Sequence, residues 1–283
     1  EGQTYPSVTA VAGGFVVAWQ GRGEDDSSGI FGRLFDLNGV QQSDDFIIND
    51  TLSSTQSQVR LTSMANGGFA AIFSGNGVGD NSGTFLTTFD ANGNRVINET
   101  LANATTSGTQ SEPDITELAN GKLVVTYRTG SDIEARIFNS DGSAFSSAIS
   151  VADTSDSEYQ PKVAALENGG FVVIYTDNND TSNAGVFAQL FDANGQAVGE
   201  LLRVNEQTSG AQYEPDVTAL VGGGFAVSYS DSNNPDSIFV QQFDNDGNIV
   251  DGPKRAEMNN VNGNYESSIT ALSNGGFAVT WTS

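Results

Sequence analysis

One repeated segment constrains this chain more than any other feature. The same short pattern returns along the whole chain: a Gly-rich pair, a phenylalanine, a short run of apolar or β-branched residues and a final aromatic residue. The copies lie about 53 residues apart, a period typical of folds built from repeated supersecondary units. A second pattern, Phe-Asp-x-x-Gly or a close variant, follows the first in five units. The anchor residues of the first pattern are Phe15, Phe69, Leu123, Phe171, Phe225 and Phe277.

One unit predicts four short antiparallel strands. Residues 215–220 alternate between polar and apolar side chains, and the Gly-rich pair after them supplies the positive φ of a tight hairpin. Residues 225–229 are almost all apolar or β-branched, which is typical of a strand buried on both faces. A third strand over 238–243 leads through an Asp-Asn-Asp-Gly turn to a polar edge strand over 248–258. Four strands in about 50 residues match a propeller blade.

The sequence therefore predicts an all-β fold, a β-propeller of four-stranded antiparallel blades, with six blades of which the last is incomplete. We expect one repeat domain over 1–283, part of a longer or processed polypeptide because it opens with Glu1 rather than Met. A sandwich-like or linear array of small β units and a solenoid are the rival architectures. The predicted units are 1–54, 55–108, 109–156, 157–210, 211–262 and a partial one over 263–283.

Composition excludes several classes of function. Eleven Lys and Arg against 35 Asp and Glu give a formal net charge of −24, which disfavours nucleic acids and anionic membranes as partners. The chain has no Cys and no His, so disulfides, thiol catalysis, the usual zinc sites and Ser-His-Asp mechanisms are excluded. No apolar run approaches the length of a membrane span, so we expect no membrane insertion.

The repeat also resembles a known kind of sequence. Residues 214–220, 223–229 and 241–247 together resemble the tandem repeats of large RTX-type, type-I-secreted bacterial surface proteins and adhesins, which are calcium-associated. The resemblance covers all six units and implies a secreted or cell-surface location. Gln58-Val59 and Lys122-Leu123 depart from the pattern. The glycine-rich nonapeptide that binds calcium in RTX proteins is absent, so that motif carries no calcium site over to this chain.

Acidic loops after the second strand are candidate calcium sites. Carboxylates in flexible Asn- and Gly-rich loops are the hard oxygen ligands that Ca²⁺ requires. None of the loops has the spacing of a known calcium loop, so solvated surface loops are the alternative reading. We expect calcium as the only cofactor, if there is one. The candidate metal ligands are Asp25, Asp26, Asp80, Asp177, Asp180, Asp231 and Asp236.

Aromatic residues end the second strand of every unit. A ring of Trp and Tyr on one face of a propeller would suit carbohydrate, because sugars stack on aromatic faces. The alternative is packing between blades, which every propeller needs. The candidate glycan-facing residues are Trp19, Tyr127, Tyr175, Tyr229 and Trp281, and Phe73 holds the same position in the second unit.

These observations favour a non-catalytic extracellular bacterial module for adhesion or for cell-surface or fibre assembly. Its partners would be neighbouring protein segments or surface polymers. A lectin-like, glycan-binding propeller is the alternative. A His-free glycoside-active enzyme is a second alternative, since glycoside hydrolysis needs only a pair of carboxyl groups. The sequence reasoning selects no catalytic residue and predicts that the chain is not an enzyme.

Overall fold

The computed structural model describes residues 2–23, 25–180, 183–233, 237–256 and 263–283, without the side chains of residues 179 and 180. The described residues form antiparallel β-strands joined by turns and loops. Among them no helix is long and apolar enough to cross a membrane. The chain divides into two compact units, where the sequence predicted one repeat domain. The first contains residues 1–117, 121–130 and 134–149, and the second contains residues 118–120, 131–133 and 150–283.

The first two sheets belong to the first unit, and each has four strands in chain order. The strands of the first sheet are β1 (Thr4–Val11), β2 (Gly14–Gly21), β3 (Gly29–Asp36) and β4 (Phe46–Ile47). Those of the second sheet are β5 (Gln56–Ser63), β6 (Phe69–Gly77), β7 (Asp80–Phe89) and β8 (Arg95–Leu101).

The third sheet also has four strands and contributes residues to both units. Its strands are β9 (Gln110–Glu117), β10 (Leu123–Thr129), β11 (Asp132–Phe138) and β12 (Ile149–Ala152).

The remaining three sheets belong to the second unit. The fourth sheet comprises β13 (Glu158–Ala165), β14 (Phe171–Asp180), β15 (Asn183–Phe191) and β16 (Ala197–Arg203), and the fifth comprises β17 (Gln212–Ala219), β18 (Phe225–Asp231), β19 (Ser237–Phe243) and β20 (Ile249–Arg255). Only β21 (Tyr265–Ala271) and β22 (Phe277–Thr282) are paired in the sixth sheet, within the described residues. The predicted blade architecture, with an incomplete last blade, is confirmed.

The hairpin between the first and second strands depends on its two glycines. In the second sheet Gly67 has φ 87° and its N–H donates to the carbonyl of Met64, which closes the turn. A Cβ at Gly68 would lie 2.1 Å from the carbonyl oxygen of Phe89, so only glycine fits beside the third strand. In the second sheet the first glycine is therefore required for its backbone conformation and the second for close packing, whereas the third sheet has Lys122 at the second position.

The anchor phenylalanines form the cores between successive sheets. Phe69 is fully buried against the first sheet and stacks on Phe89 at 4.9 Å between ring centroids. Phe225 is fully buried against the fourth sheet and stacks on Phe243 at 4.8 Å. Phe69 and Phe225 therefore each pack against the preceding sheet of their unit. Phe15 belongs to the first sheet, which has no preceding sheet in its unit, and it is only half-buried.

Candidate functional site

The first strand of each sheet contains a bulge at an equivalent position. In the second sheet Ser57 pairs with Ser74 and Arg60 pairs with Ile72, so two residues of β5 lie opposite the single residue Phe73. The first residue of each bulge has φ between 51° and 57° although it is not glycine. We call these the bulge residues: Tyr5, Gln58, Glu112, Gln160, Glu214 and Glu266.

Such a backbone conformation is unfavourable for a residue with a long side chain. Non-glycine residues at positive φ are uncommon and cluster at binding and catalytic sites, where the surrounding structure holds them in place. Here the same conformation recurs in all six sheets and always carries an amide, a carboxylate or a phenol. The bulge residues are therefore candidates for a binding or catalytic site.

Hydrogen bonds connect bulges of successive sheets. In the first unit the backbone N–H of Glu112 donates to Oε1 of Gln58 at 2.9 Å. In the second unit the N–H of Glu214 donates to Oε1 of Gln160 at 2.9 Å, and the N–H of Glu266 donates to Oε2 of Glu214 at 2.8 Å. These bonds satisfy the N–H groups that the bulges remove from the regular strand pairing.

Side chains of the second strand also support the bulge residues. The hydroxyl of Thr176 donates to Oε1 of Gln160 at 3.2 Å, and the hydroxyl of Ser230 donates to Oε2 of Glu214 at 3.3 Å. In the first unit, Nη1 of Arg128 lies 3.7 Å from Oε1 of Glu112. Apart from Tyr5 and Glu266, which are exposed, the bulge residues are half-buried. Their polar groups are thus held in place yet reachable from solvent.

A cleft of about 410 Å³ opens beside the bulges of the first unit. Its lining comes from the first three sheets and includes Tyr5, Gln58, Ser74 and Gln110. All eleven lining residues except Gly75 carry a hydroxyl or an amide group, and none carries a charge. Its volume lies within the range of roughly 300–1000 Å³ that is usual for small-molecule sites.

The aromatic residues singled out from the sequence lie directly opposite the bulges. Tyr127, Tyr175 and Tyr229 are at most 2% exposed, so they pack between sheets and do not present their rings to a glycan. Burial raises the pKa of all three hydroxyls, and the carboxylate of Glu134 adds to this effect at Tyr127. The remaining two, Trp19 and Trp281, are half-buried.

Four of the predicted metal ligands are buried, and two of them, Asp26 and Asp80, hold equivalent positions near the start of the third strand. Oδ1 of Asp80 accepts the N–H of Ser82 at 3.0 Å, and its Oδ2 accepts Nδ2 of Asn103 at 2.9 Å. Asp26 makes the same two contacts with Ser28 and Asn49, both at 2.9 Å. These carboxylates tie the loop after the second strand to the end of the fourth. Asp177 and Asp231 are also buried, but they lie within the second strand, at the positions that Gly21 and Gly75 hold in the first two sheets.

The other candidate ligands do not join them. Asp25 is exposed, nothing is described of the Asp180 side chain, and Asp236 lies outside the described residues. Within the described ranges no three acidic side chains gather as a metal site would require. Calcium binding stays a prediction.

Sequence reasoning missed the bulge residues. Four of the six stand directly before a proline, but a residue before proline is expected to be extended rather than left-handed; the four are Tyr5, Glu112, Gln160 and Glu214. The usable signal is a polar residue with a long side chain that recurs at a nearly constant distance before each anchor.

No family model and no curated protein matches this chain. Solved structures do match it. An α-L-arabinanase from Penicillium chrysogenum in complex with arabinobiose has a TM-score of 0.68 at 16% identity, over 99% of this chain and 88% of the other. An α-L-arabinofuranosidase from Fusarium graminearum has a TM-score of 0.60 at 14% identity, over 99% and 88%. The NanB sialidase from Streptococcus pneumoniae has a TM-score of 0.65 at 10% identity, over 99% of this chain and 65% of its own.

At these identities the likeness establishes the fold, which is a β-propeller. The comparison contradicts the prediction of a non-catalytic adhesion or surface-assembly module and the prediction that the chain is not an enzyme. The matching propellers are named as enzymes that act on carbohydrates. The repeat alone does not separate these functions, because an extended array of similar units and a propeller can share the same periodicity.

Proposed function

We propose that this chain is a glycan-active propeller, which binds a carbohydrate beside the first-strand bulges and hydrolyses a glycosidic bond with carboxyl groups carried there. The observation that carries the proposal is the recurrence of left-handed bulges that hold amides and carboxylates at equivalent places in successive sheets. The names of the solved propellers support it, because they denote enzymes of arabinan, arabinofuranosides and sialosides.

Two carboxyl groups in the second unit suit the reaction. Glycoside hydrolysis in its common form uses one carboxyl as acid and a second as base or nucleophile. Glu214 and Glu266 are bulge residues of neighbouring sheets, joined by the bond from the N–H of Glu266 to Oε2 of Glu214. No His or Cys is required for this chemistry, which agrees with the composition.

The two groups differ in their surroundings, and the difference suggests their roles. Glu214 is half-buried, and its Oε2 accepts hydrogen bonds from Ser230 and from the backbone of Glu266. A carboxylate fixed by donors is suited to face the sugar as base or nucleophile. Glu266 is exposed, and we assign it the role of acid because the reaction needs a second carboxyl group beside the first.

The test is hydrolysis of a panel of arabinan, arabino-oligosaccharides, aryl arabinofuranosides and sialyl-lactose, followed as release of reducing ends or free sugar. Glu214→Gln and Glu266→Gln should each lower turnover by about 10²–10⁴-fold and leave substrate binding largely intact. The matched control is Glu167→Gln. Glu167 lies in the hairpin loop after β13, where its Oε1 accepts the N–H of Gly222.

Equal loss of turnover in the control would contradict the assignment of the two residues. Binding of a glycan without any turnover by the unaltered chain would contradict the hydrolytic part and favour a lectin-like role. The absence of both binding and turnover across the panel would overturn the proposal.

Two further features stay predictions. An extracellular location and the relation to RTX-type repeats follow only from the sequence pattern and acidity. Detection of the natural protein outside the cell would support the location.

A further inference from the structure

The cleft of the first unit differs in charge from the rest of the molecule. The whole chain carries a net charge of −24, yet the eleven residues that line this cleft carry none. Their side chains are hydroxyls and amides of Ser, Thr, Tyr and Gln, groups that both donate and accept hydrogen bonds. Such a lining matches the hydroxyl groups of a sugar and offers no counter-charge to an ionic ligand.

Two polar atoms at the cleft wall have no hydrogen-bond partner among the described residues. Ser74 is 5% exposed, and its Oγ is buried without a partner. In the second unit the corresponding hydroxyls of Thr176 and Ser230 donate to bulge residues. Oε1 of Gln20 is buried and unpartnered in the same way. Buried polar groups are normally paired, so these two mark a place where the protein alone does not complete its own hydrogen bonding.

Tyr5 supplies an apolar surface at the same cleft. Its side chain is 54% exposed, and its backbone is held at φ 51° by the bulge of β1. An exposed aromatic ring fixed beside hydroxyl and amide groups suits the C–H face of a pyranose or furanose ring.

We propose that this cleft binds a short neutral saccharide and discriminates against sugars that carry a carboxylate. The inference rests on the proposed function and names the class of carbohydrate that the first unit binds: neutral glycans, rather than uronic or sialic acids. A sugar carboxylate would enter an acidic protein at a cleft without a cation to receive it, so it would be repelled and poorly solvated there.

The test is isothermal titration of the full chain with two pairs of probes, galactobiose against digalacturonic acid and lactose against sialyl-lactose, together with arabinobiose. At least one neutral saccharide should bind, and the acidic member of its pair should bind at least about tenfold more weakly. Raising the salt concentration should reduce this difference in affinity between the neutral and the acidic sugar, because screening weakens repulsion between charges.

Thr55→Trp tests the location. Thr55 is an exposed lining residue, so the larger ring should fill the cleft and abolish binding without disturbing the core. Thr208→Trp is the matched control, since Thr208 is also exposed and belongs to the second unit. Tyr5→Ala should weaken binding, and Tyr5→Phe should largely retain it.

Equal or tighter binding of the acidic sugars, neutral binding that survives Thr55→Trp, or no binding of any neutral probe would each overturn the inference. These readouts measure binding alone, so they are independent of whether Glu214 and Glu266 support turnover. Hydrolysis that persists in Thr55→Trp would leave the proposed function standing and remove this cleft from it.

Discussion

Oε1 of Gln160 accepts two hydrogen bonds, one from the backbone N–H of Glu214 at 2.9 Å and one from the hydroxyl of Thr176 at 3.2 Å. The acceptor and the N–H belong to the bulges of neighbouring sheets. The Gln160 side chain of the fourth sheet therefore fixes the backbone of Glu214, a candidate catalytic residue of the fifth sheet.

Gln160→Ala should lower the free energy of unfolding by about 1–3 kcal/mol, because it leaves the N–H of Glu214 without its acceptor. Gln160→Glu keeps an acceptor oxygen and should cost less. Urea denaturation measures both, with the exposed Gln196→Ala as control. Equal costs for the alanine and glutamate variants would show that the hydrogen bond is not the source of the effect.

Phe225→Ala should lower the free energy of unfolding by about 3–5 kcal/mol, because it removes a fully buried ring from the core and leaves a cavity against Phe243. Thermal unfolding followed by circular dichroism provides the measurement. Val221→Ala, at a residue 54% exposed, should change stability little. A similar small effect at Phe225 would contradict the packing described between the fourth and fifth sheets.

Glu158→Gln should raise the free energy of unfolding at neutral pH by about 1–2 kcal/mol, which is the usual cost of burying a polar group without a hydrogen-bond partner. Glu158 is fully buried, its Oε2 has no hydrogen-bond partner among the described residues, and the hydroxyl and backbone of Thr154 donate to its carboxyl group. Glutamine occupies the corresponding position as Gln56, Gln110 and Gln212, where each Nε2 donates to a loop carbonyl.

The same substitution has a defined pH dependence. Burial raises the pKa of Glu158 above its ordinary value of 4.5. The folded chain therefore holds this proton more tightly than the unfolded chain, and stability is lost as the pH rises from about 4.5 through the raised pKa. Melting temperatures at pH 4 and pH 7 should show the advantage of Glu158→Gln at pH 7 and little of it at pH 4. An advantage that does not change with pH would exclude this carboxyl as its cause.

Acid should destabilise the Asp-x-x-Gly turns. Hydrogen bonds from the side chain and backbone of Asn248 lower the pKa of Asp244 below 3.8, and related bonds act on Asp90 and Asp192. Their stabilising effect is complete above the unfolded value and is lost as the pH falls through the lowered one. As the pH falls below about 3.8, the melting temperature should decrease, and it should decrease less steeply in Asp244→Asn. Asp246→Asn, in the same turn, controls for net charge.

The sequence predicted the fold because its signals are local and repeated. Each Gly-rich pair specifies a hairpin, and each run such as 225–229 specifies a strand buried on both faces. Because the pattern occurs six times, it can be recognised although Leu123 replaces phenylalanine in one copy. The two strands that the described residues form in the sixth sheet could be predicted from the same count.

The candidate site could be predicted only in part. The aromatic residues opposite the bulges were identified, but burial between sheets removes Tyr127, Tyr175 and Tyr229 from any ligand. The left-handed backbone of Glu214 follows from register and from contacts with the next sheet, which no local propensity encodes. Asp26 and Asp80 illustrate the same limit, since their partners Asn49 and Asn103 lie a full strand pair away in sequence.

The hydrogen bonds between bulges have one further consequence. In each bond described, the side chain belongs to the earlier sheet and the N–H to the later one, as from Gln58 to Glu112 and from Glu214 to Glu266. A lost side chain therefore frees a backbone amide in the following sheet and leaves its own amide as it was. Substitution of a bulge side chain should therefore lower the protection of the bulge amide against hydrogen exchange in the next sheet toward the C-terminus. The bulge amide of its own sheet should keep its protection.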